Sequence, residues 1–250
     1  MGWQPPCQHT LEPSQLKDCL DTRAHVNPPN LLLRPFRLFR CTWARRGLLG
    51  GKWYYIEIFI LGLLLVAVPY FFVNHLVAAV GHTFWDPELP IDRLIPVIPW
   101  MIIPYATLYI LNPLPIITHP RNERGRMGLL MTMQAITTLT ICSCFFFIFF
   151  PAEIDMRDQL PADIMESSGF IATTFKNVHF ADKPWNAWPS LHMSQSLVLV
   201  LVISRWLKRD WSESWWSRPA LAILWIDWAL LCISVLTTKQ HYLWDFATGL

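Results

Sequence analysis

Residues Trp53 to Val80 read WYYIEIFILGLLLVAVPYFFVNHLVAAV, and the only full charge among them is Glu57. An apolar run this long exceeds the ~20 residues that a helix needs to cross the hydrocarbon of a bilayer. It reads as a spanning helix with a kink at Pro69. Four more candidates follow it. Leu94 to Thr118 is apolar but carries Pro96, Pro99, Pro104, Pro113 and Pro115, so a bent or broken helix is expected. Met127 to Phe150, Pro189 to Leu207 and Pro219 to Leu236 are the others. A sixth segment starts near Gln240 and stops at Leu250, too short to cross. The expected fold is all-α, a polytopic membrane protein built as a six-transmembrane-helix bundle. Its sixth helix is half present, as expected of a chain cut short.

Composition agrees. Of 250 residues, 53% are hydrophobic, 14% aromatic and only 15% charged, where soluble domains carry about a quarter. The 14 tryptophans suit interfacial belts. Cys142 and Cys144 lie in an apolar run as small helix fillers, and Cys7, Cys19 and Cys41 fall on the side read as cytoplasmic, where disulfides are not expected. No secretory signal is visible in the polar, proline-rich residues 1–30, so the first span directs insertion. No nucleic-acid partner is expected, and the sequence leaves the oligomeric state open.

Charge sets the orientation. Arg34, Arg37, Arg40, Arg45, Arg46 and Lys52 precede the first span, with Leu31, Leu32, Leu33, Phe36, Leu38 and Phe39 between them. This stretch reads either as an amphipathic surface helix or as plain positive-inside charge. Arg121, Arg124 and Arg126 form a second basic region; Arg205, Lys208, Arg209 and Arg218 form a third. Acidic loops alternate with them: Asp86, Glu88 and Asp92, then Glu153, Asp155, Asp158, Asp163, Glu166 and Asp182. An even number of helices separates successive basic regions, so all fall on one face, the cytoplasmic one. The opposite, extracytoplasmic face then receives two short polar motifs some 50 residues apart.

Those motifs are Trp188-Pro189-Ser190-Leu191-His192 and Lys239-Gln240-His241-Tyr242-Leu243-Trp244-Asp245. Ionisable groups at a bilayer edge are costly and need a reason. Pro189 suits the first turn of a helix, which leaves Ser190 and His192 near an N-terminus that favours an anion such as phosphate. His192 could donate a proton to a leaving oxygen. Asp245, one turn after His241, could hold one ring nitrogen and leave the other free to attack phosphorus. Lys239 and Arg157 are the cations expected to reach the transferring group, with Ser190 as a phosphate-binding hydroxyl.

Pro189-Ser190-Leu191-His192 and the His241 to Asp245 stretch resemble the second and third signature motifs of the type 2 phosphatidic acid phosphatase (PAP2) superfamily. Lys239-Gln240-His241-Tyr242 resembles its inositolphosphotransferase and inositol phosphorylceramide synthase-like branch. The resemblance covers Trp53 to Leu250 and implies six helices with an extracytoplasmic site. It implies His241 as a nucleophile that forms a phosphohistidine, Asp245 as its orienting group and His192 as general acid, without a metal or other cofactor. The chain departs from the pattern in two places. Ser234 matches the serine that opens the third motif, but Val235 stands where many members have arginine, and the first motif, a lysine followed at distance by Arg-Pro, has no clean match. The implied protein is a membrane lipid phosphatase or phosphotransferase, with a lipid phosphoester as substrate and water or a hydroxyl as acceptor. Residues 1–52 would be a cytoplasmic tail with a basic amphipathic segment, and 53–250 the catalytic membrane domain.

Other readings stand beside this one. His and Asp four residues apart also occur in bundle metal sites, although two histidines and one carboxylate leave the ligand set incomplete. A non-catalytic lipid-binding or transport protein could keep the same scaffold. His75, His82, His119 and His179 read as structural. Asp227, flanked by tryptophans in mid-helix, is expected to face the bundle interior, and Glu57 the interface. Trp185 and Trp188 flank the second motif and could touch an acyl chain or head group.

Overall fold

A computed structural model describes residues 34–250. The polar tail of residues 1–30, with Cys7 and Cys19, and Leu31, Leu32 and Leu33 of the basic stretch lie outside the described residues. Every regular element from Pro35 to Leu250 is helical, and the chain is an all-α polytopic membrane protein.

The first span is α1 (Leu48–Val80), which is kinked near its start, where Leu49, Gly50 and Gly51 take left-handed backbone, and changes register in the middle. Two α-helical stretches, Lys52–Gly62 and Val68–Val80, are joined by a π-helical turn at Leu63–Ala67. Proline has no N–H to donate and its ring collides with the carbonyl four residues earlier, so Pro69 cannot sit in a regular α-helix. The wider π turn just before it absorbs both problems. Ahead of α1, Arg37–Phe39 and Arg40–Ala44 form two adjoining helical pieces.

The proline-rich second candidate breaks as its composition requires. It is an apolar segment of helical turns, α2 (Pro99–Leu111), followed by one more turn at Leu114–Thr118. The third is α3 (Glu123–Phe149), opened by Asn122, whose side chain accepts the Gly125 N–H at 2.8 Å as an N-cap. Thr132, Thr138 and Thr140 return their hydroxyls to the carbonyl four residues back, which satisfies them without water. A loop containing Arg157 leads to α4 (Phe170–Ala181), then to α5 (Leu191–Asp210), α6 (Ser217–Thr237) and α7 (Leu243–Gly249).

Three of these, α1, α3 and α6, are long and apolar enough to cross a membrane among the described residues. Six spans were expected. The differences have physical causes. The prolines cut the second span into turns. The fourth is a 20-residue helix, α5, but His192, Ser194, Gln195, Ser196, Ser204 and Arg205 make it too polar to read as a span alone. It sits inside the bundle, packed on α3 and α6, with Gln195 Nε2 donating to Thr140 Oγ1 at 2.9 Å and Trp228 Nε1 to Ser196 Oγ at 3.1 Å. The sixth is shorter than expected, because the chain turns at 238–242 before α7 begins at Leu243. Asp227 is half-buried and meets Thr107 of the broken α2.

Basic residues gather at one end of the bundle. Arg46 pairs with Glu123 at the start of α3 (2.8 Å), Arg45 with Glu57 (2.8 Å), and Tyr54 donates to the Arg126 carbonyl (2.7 Å). The end of α5 joins the start of α6 there, through Ser217 Oγ donating to the Leu207 carbonyl at 2.9 Å. At the opposite end Asn74 of α1 and Lys183 exchange two hydrogen bonds (2.7 and 2.9 Å), beside the Pro-Ser-x-His motif. With the basic end cytoplasmic, a cysteine at the exposed Asp163 should react with a membrane-impermeant thiol reagent added outside intact cells. One at the exposed Arg124 should react only after permeabilisation, both in a cysteine-free background. The reverse labelling pattern would invert the orientation.

Candidate active site

The turn that carries His241 begins as the end of α6. The N–H groups of Gln240 and His241 both donate to the Val235 carbonyl (3.2 and 3.0 Å), and Lys239 between them and the helix has φ 58°, the left-handed conformation that usually falls to glycine at a helix C-terminus. A lysine holds this position because its buried ammonium is anchored, donating to the Asp92 carbonyl at 2.7 Å. Burial lowers the Lys239 pKa, opposed by the nearby Asp92 carboxylate. Asp92 braces the same turn again, accepting the Leu243 N–H at 2.8 Å and the Leu89 N–H at 2.7 Å. His241 therefore precedes α7 instead of lying on it, and Asp245 occupies the first turn of α7.

His241 Nδ1 and Asp245 Oδ2 lie 2.5 Å apart, with both side chains buried. The imidazole donates through Nδ1–H, so Nε2 keeps its lone pair. That nitrogen faces the Ser190 hydroxyl at 3.2 Å and His192 Nδ1 at 3.3 Å. Ser190 is the N-cap of α5, and His192 lies in its first turn. Pro189 was expected in that turn and instead stands one residue before the cap. The two motifs are held together by backbone as well. Ser190 N–H donates to the Asp245 carbonyl at 3.4 Å, and a Cβ on Gly249 would come within 2.6 Å of the Ser190 carbonyl, so α7 can approach α5 this closely only with glycine there.

The structure brings Ser190, His192, His241 and Asp245 into one buried cluster. Arg157 borders it: its Nη2 donates to the Asp182 carbonyl at 2.7 Å and lies 3.4 Å from Gln240 Oε1. Its Nε is buried without an acceptor among the described residues, as is Trp188 Nε1. Burial lowers the Arg157 pKa, while Asp182 acts to raise it. Lys239 is adjacent in sequence, but its ammonium is committed to the Asp92 carbonyl. His179, read as structural, touches Gln240 Nε2 at 3.1 Å, and burial together with the Arg157 charge pushes it down to about 4. Trp188 stacks edge-on against Phe146 (4.8 Å) and Trp85 (5.6 Å).

Sequence reasoning missed a second carboxylate. Asp182 was read as one of several loop charges, yet it is 4% exposed. It accepts hydrogen bonds from Tyr70 of α1 (2.5 Å), Tyr105 of α2 (3.1 Å) and Asn186, and its Oδ2 lies 4.0 Å from His192 Nε2. Its place shortly before the Pro-Ser-x-His motif is a weak signal, and nothing in the apolar run around Tyr70 points to a polar role. Tyr242 was likewise unassigned. Its hydroxyl accepts the Asp155 N–H at 2.8 Å and ties the loop after α3 to the His241 turn. Among the described residues no three His, Cys, Asp or Glu side chains are grouped so as to hold a metal ion.

A cavity of about 350 Å³ within the bundle meets this cluster at His192. Tyr70, Asp182 and His192 form a polar part of its wall; residues such as Val66, Leu108, Ile116, Leu129, Ile136 and Leu199 form the apolar part.

A family model described as the PAP2 superfamily matches residues 86–250. No curated protein and no solved structure matches the chain.

Replacing Lys239 by Met should leave the Asp92 carbonyl without its buried donor and cost about 1–3 kcal/mol of stability. The thermal midpoint of the purified protein in detergent is expected to fall by several degrees. An unchanged midpoint would mean that this bond does not hold the turn.

Proposed function

The chain belongs to the PAP2 superfamily, and we propose that it is a membrane lipid phosphatase or phosphotransferase working through a phosphohistidine on His241. The observation that carries this reading is the line Asp245, His241, His192, in which His241 Nε2, freed by the 2.5 Å bond on Nδ1, faces His192 Nδ1 across 3.3 Å. In the first step Nε2 attacks phosphorus, the bond to the leaving oxygen breaks, and His192 Nδ1–H supplies that oxygen with its proton. In the second step water or another hydroxyl attacks the phosphohistidine, passes its proton to His192 Nδ1, and the P–N bond breaks. Asp245 keeps the proton on His241 Nδ1 throughout and stabilises the charge that the ring acquires.

Phosphate binding rests on donors that converge on this point. Ser190 presents its hydroxyl, and the first turn of α5 offers free N–H groups to an anion. Arg157 carries a buried guanidinium N–H with no acceptor among the described residues, which a phosphate oxygen would satisfy. Lys239 contributes indirectly, by fixing the turn on which His241 sits.

The apolar cavity supports a lipid substrate. Along α1 it extends from Phe59 to Tyr70, which at 1.5 Å per residue is about 16 Å. That is close to half of the ~30 Å hydrocarbon thickness, a length that suits part of an acyl chain. Tyr70, Asp182 and His192 line the end away from the basic residues, and the apolar wall runs from there toward the basic end; with the basic end cytoplasmic, the reacting groups lie toward the extracytoplasmic face. The inositolphosphotransferase-like reading of Lys239-Gln240-His241-Tyr242 makes a polyol hydroxyl the natural alternative to water as acceptor.

Purified protein is expected to release phosphate from at least one member of a panel of lipid phosphates, and to do so in excess chelator. An acid-labile phosphoenzyme should be trapped in the wild type and be absent from His241→Ala, with turnover reduced to background. Adding inositol should divert label from free phosphate to inositol phosphate if the acceptor is a polyol. Normal turnover in His241→Ala would remove the mechanism.

A further inference from the structure

We infer that Asp182 is a positioning residue for His192, so that the site holds two carboxylate–histidine pairs acting on one phosphorus. The inference rests on the reading of His192 as the proton donor. It starts from the lone pairs of Asp182. Tyr70 and Asn186 both donate to Oδ1, while among the described residues Oδ2 receives only the Tyr105 hydroxyl, at 3.1 Å. The remaining side of Oδ2 faces His192 Nε2 at 4.0 Å. Three donors from three different segments fix where this carboxylate stands, and none of them blocks the side turned to the histidine. Catalytic hydrogen bonds are commonly long before substrate binds and shorten in the complex.

The two rings are then used in complementary ways. His241 is held at Nδ1 and works at Nε2; His192 is held at Nε2 and works at Nδ1. A carboxylate at Nε2 keeps a proton on that nitrogen, which leaves Nδ1 as the atom that gives and takes the mobile proton. When Nδ1–H is transferred to the leaving oxygen, the ring goes from imidazolium to the neutral Nε2–H tautomer. It is then poised to take the proton of the attacking water at Nδ1. Without the carboxylate, the neutral ring could keep its proton on Nδ1 and would be the wrong tautomer to act as base in the second step. Tyr105 supports this placement twice, because its ring also lies against that of His192 with centroids 4.5 Å apart.

The groups facing His192 are His241 with Asp245 behind it, Asp182, and the Tyr105 ring. Tyr70 and Arg157 act on Asp182, through its side chain and its carbonyl respectively. Asp182→Asn keeps one acceptor oxygen, enough for one of the two tyrosines, and removes the negative charge. The imidazolium of His192 is then less favoured, so its titration should move to lower pH.

The experiment compares wild type, Asp182→Asn and Tyr70→Phe. For lipid phosphates with poor alkoxide leaving groups, kcat of Asp182→Asn should fall by ~10²–10⁴-fold, by analogy with orienting carboxylates in triads, with KM little changed. For an aryl phosphate whose leaving group needs no proton, phosphoenzyme formation should fall much less, and its hydrolysis should become the slow step. Tyr70→Phe should show a smaller loss with the same leaving-group pattern. Equal losses on both substrates would make Asp182 a structural residue and overturn the inference. A second readout does not depend on turnover. In isotope-labelled protein the His192 ring signals, assigned by loss in His192→Gln, should titrate at lower pH in Asp182→Asn than in wild type. Unchanged titration would overturn the inference even if the activity losses appeared. If no phosphoenzyme forms in the wild type, the functional reading fails, and the titration still decides whether Asp182 holds His192.

Discussion

A carboxylate buried at the end of an apolar helix bundle has to be surrounded by donors, because burial takes it out of bulk water. Asp182 meets that requirement by drawing on three helices and two loops. Tyr70 reaches it from α1, Tyr105 from the broken α2, Asn186 from the loop before α5 and His192 from α5 itself, while Arg157 takes its backbone carbonyl. Removing any one of these leaves a buried polar group short of a partner. The elements that make them are thus locked in register with one another, and the two histidines are registered with them.

The distortions in the helices follow from the same demand. The π turn at Leu63–Ala67 accommodates Pro69 and ends three residues before Tyr70, which is one helical turn before Asn74. The breaks in α2 bring Tyr105 to Asp182 while leaving space beside Leu108, Asn112 and Ile116. That space is part of the cavity. A straight second helix would pack closely on its neighbours; a proline-broken one leaves a gap next to the reactive groups. The irregular backbone lines the interior, where a membrane protein can tolerate it.

The His241 turn shows how a costly local conformation is maintained. Lys239 in the left-handed region is unfavourable for a residue with a Cβ. It persists because the lysine ammonium, the Asp92 carboxylate and the paired N–H groups of Gln240 and His241 over-determine the turn. The result points His241 across to Ser190 and His192, a direction that a continuous helix from Gln240 would not have produced.

Much of this was legible in the chain. Uninterrupted apolar runs such as Trp53–Val80 specify membrane helices because hydrocarbon admits no unsatisfied backbone. Prolines specify where a helix must break, and a Pro-Ser-x-His followed by His-x3-Asp brings together residue types suited to one chemistry. The spacing of His241 and Asp245 allowed their hydrogen bond whether or not the intervening segment was helical. What the sequence could not carry was anything that depends on which groups meet across the bundle. Asp182 looked like one loop charge among six, and Tyr70 like one aromatic in an apolar run. Lys239 looked like a free cation until its ammonium was found on the Asp92 carbonyl. The same limit applied to α5, whose polar side chains lower its hydropathy but are satisfied by partners on α3 and α6. Local pattern governs the backbone of each segment, because backbone hydrogen bonds are made within the segment. The partner of a buried side chain lies on another segment, and only the tertiary fold decides which one it is.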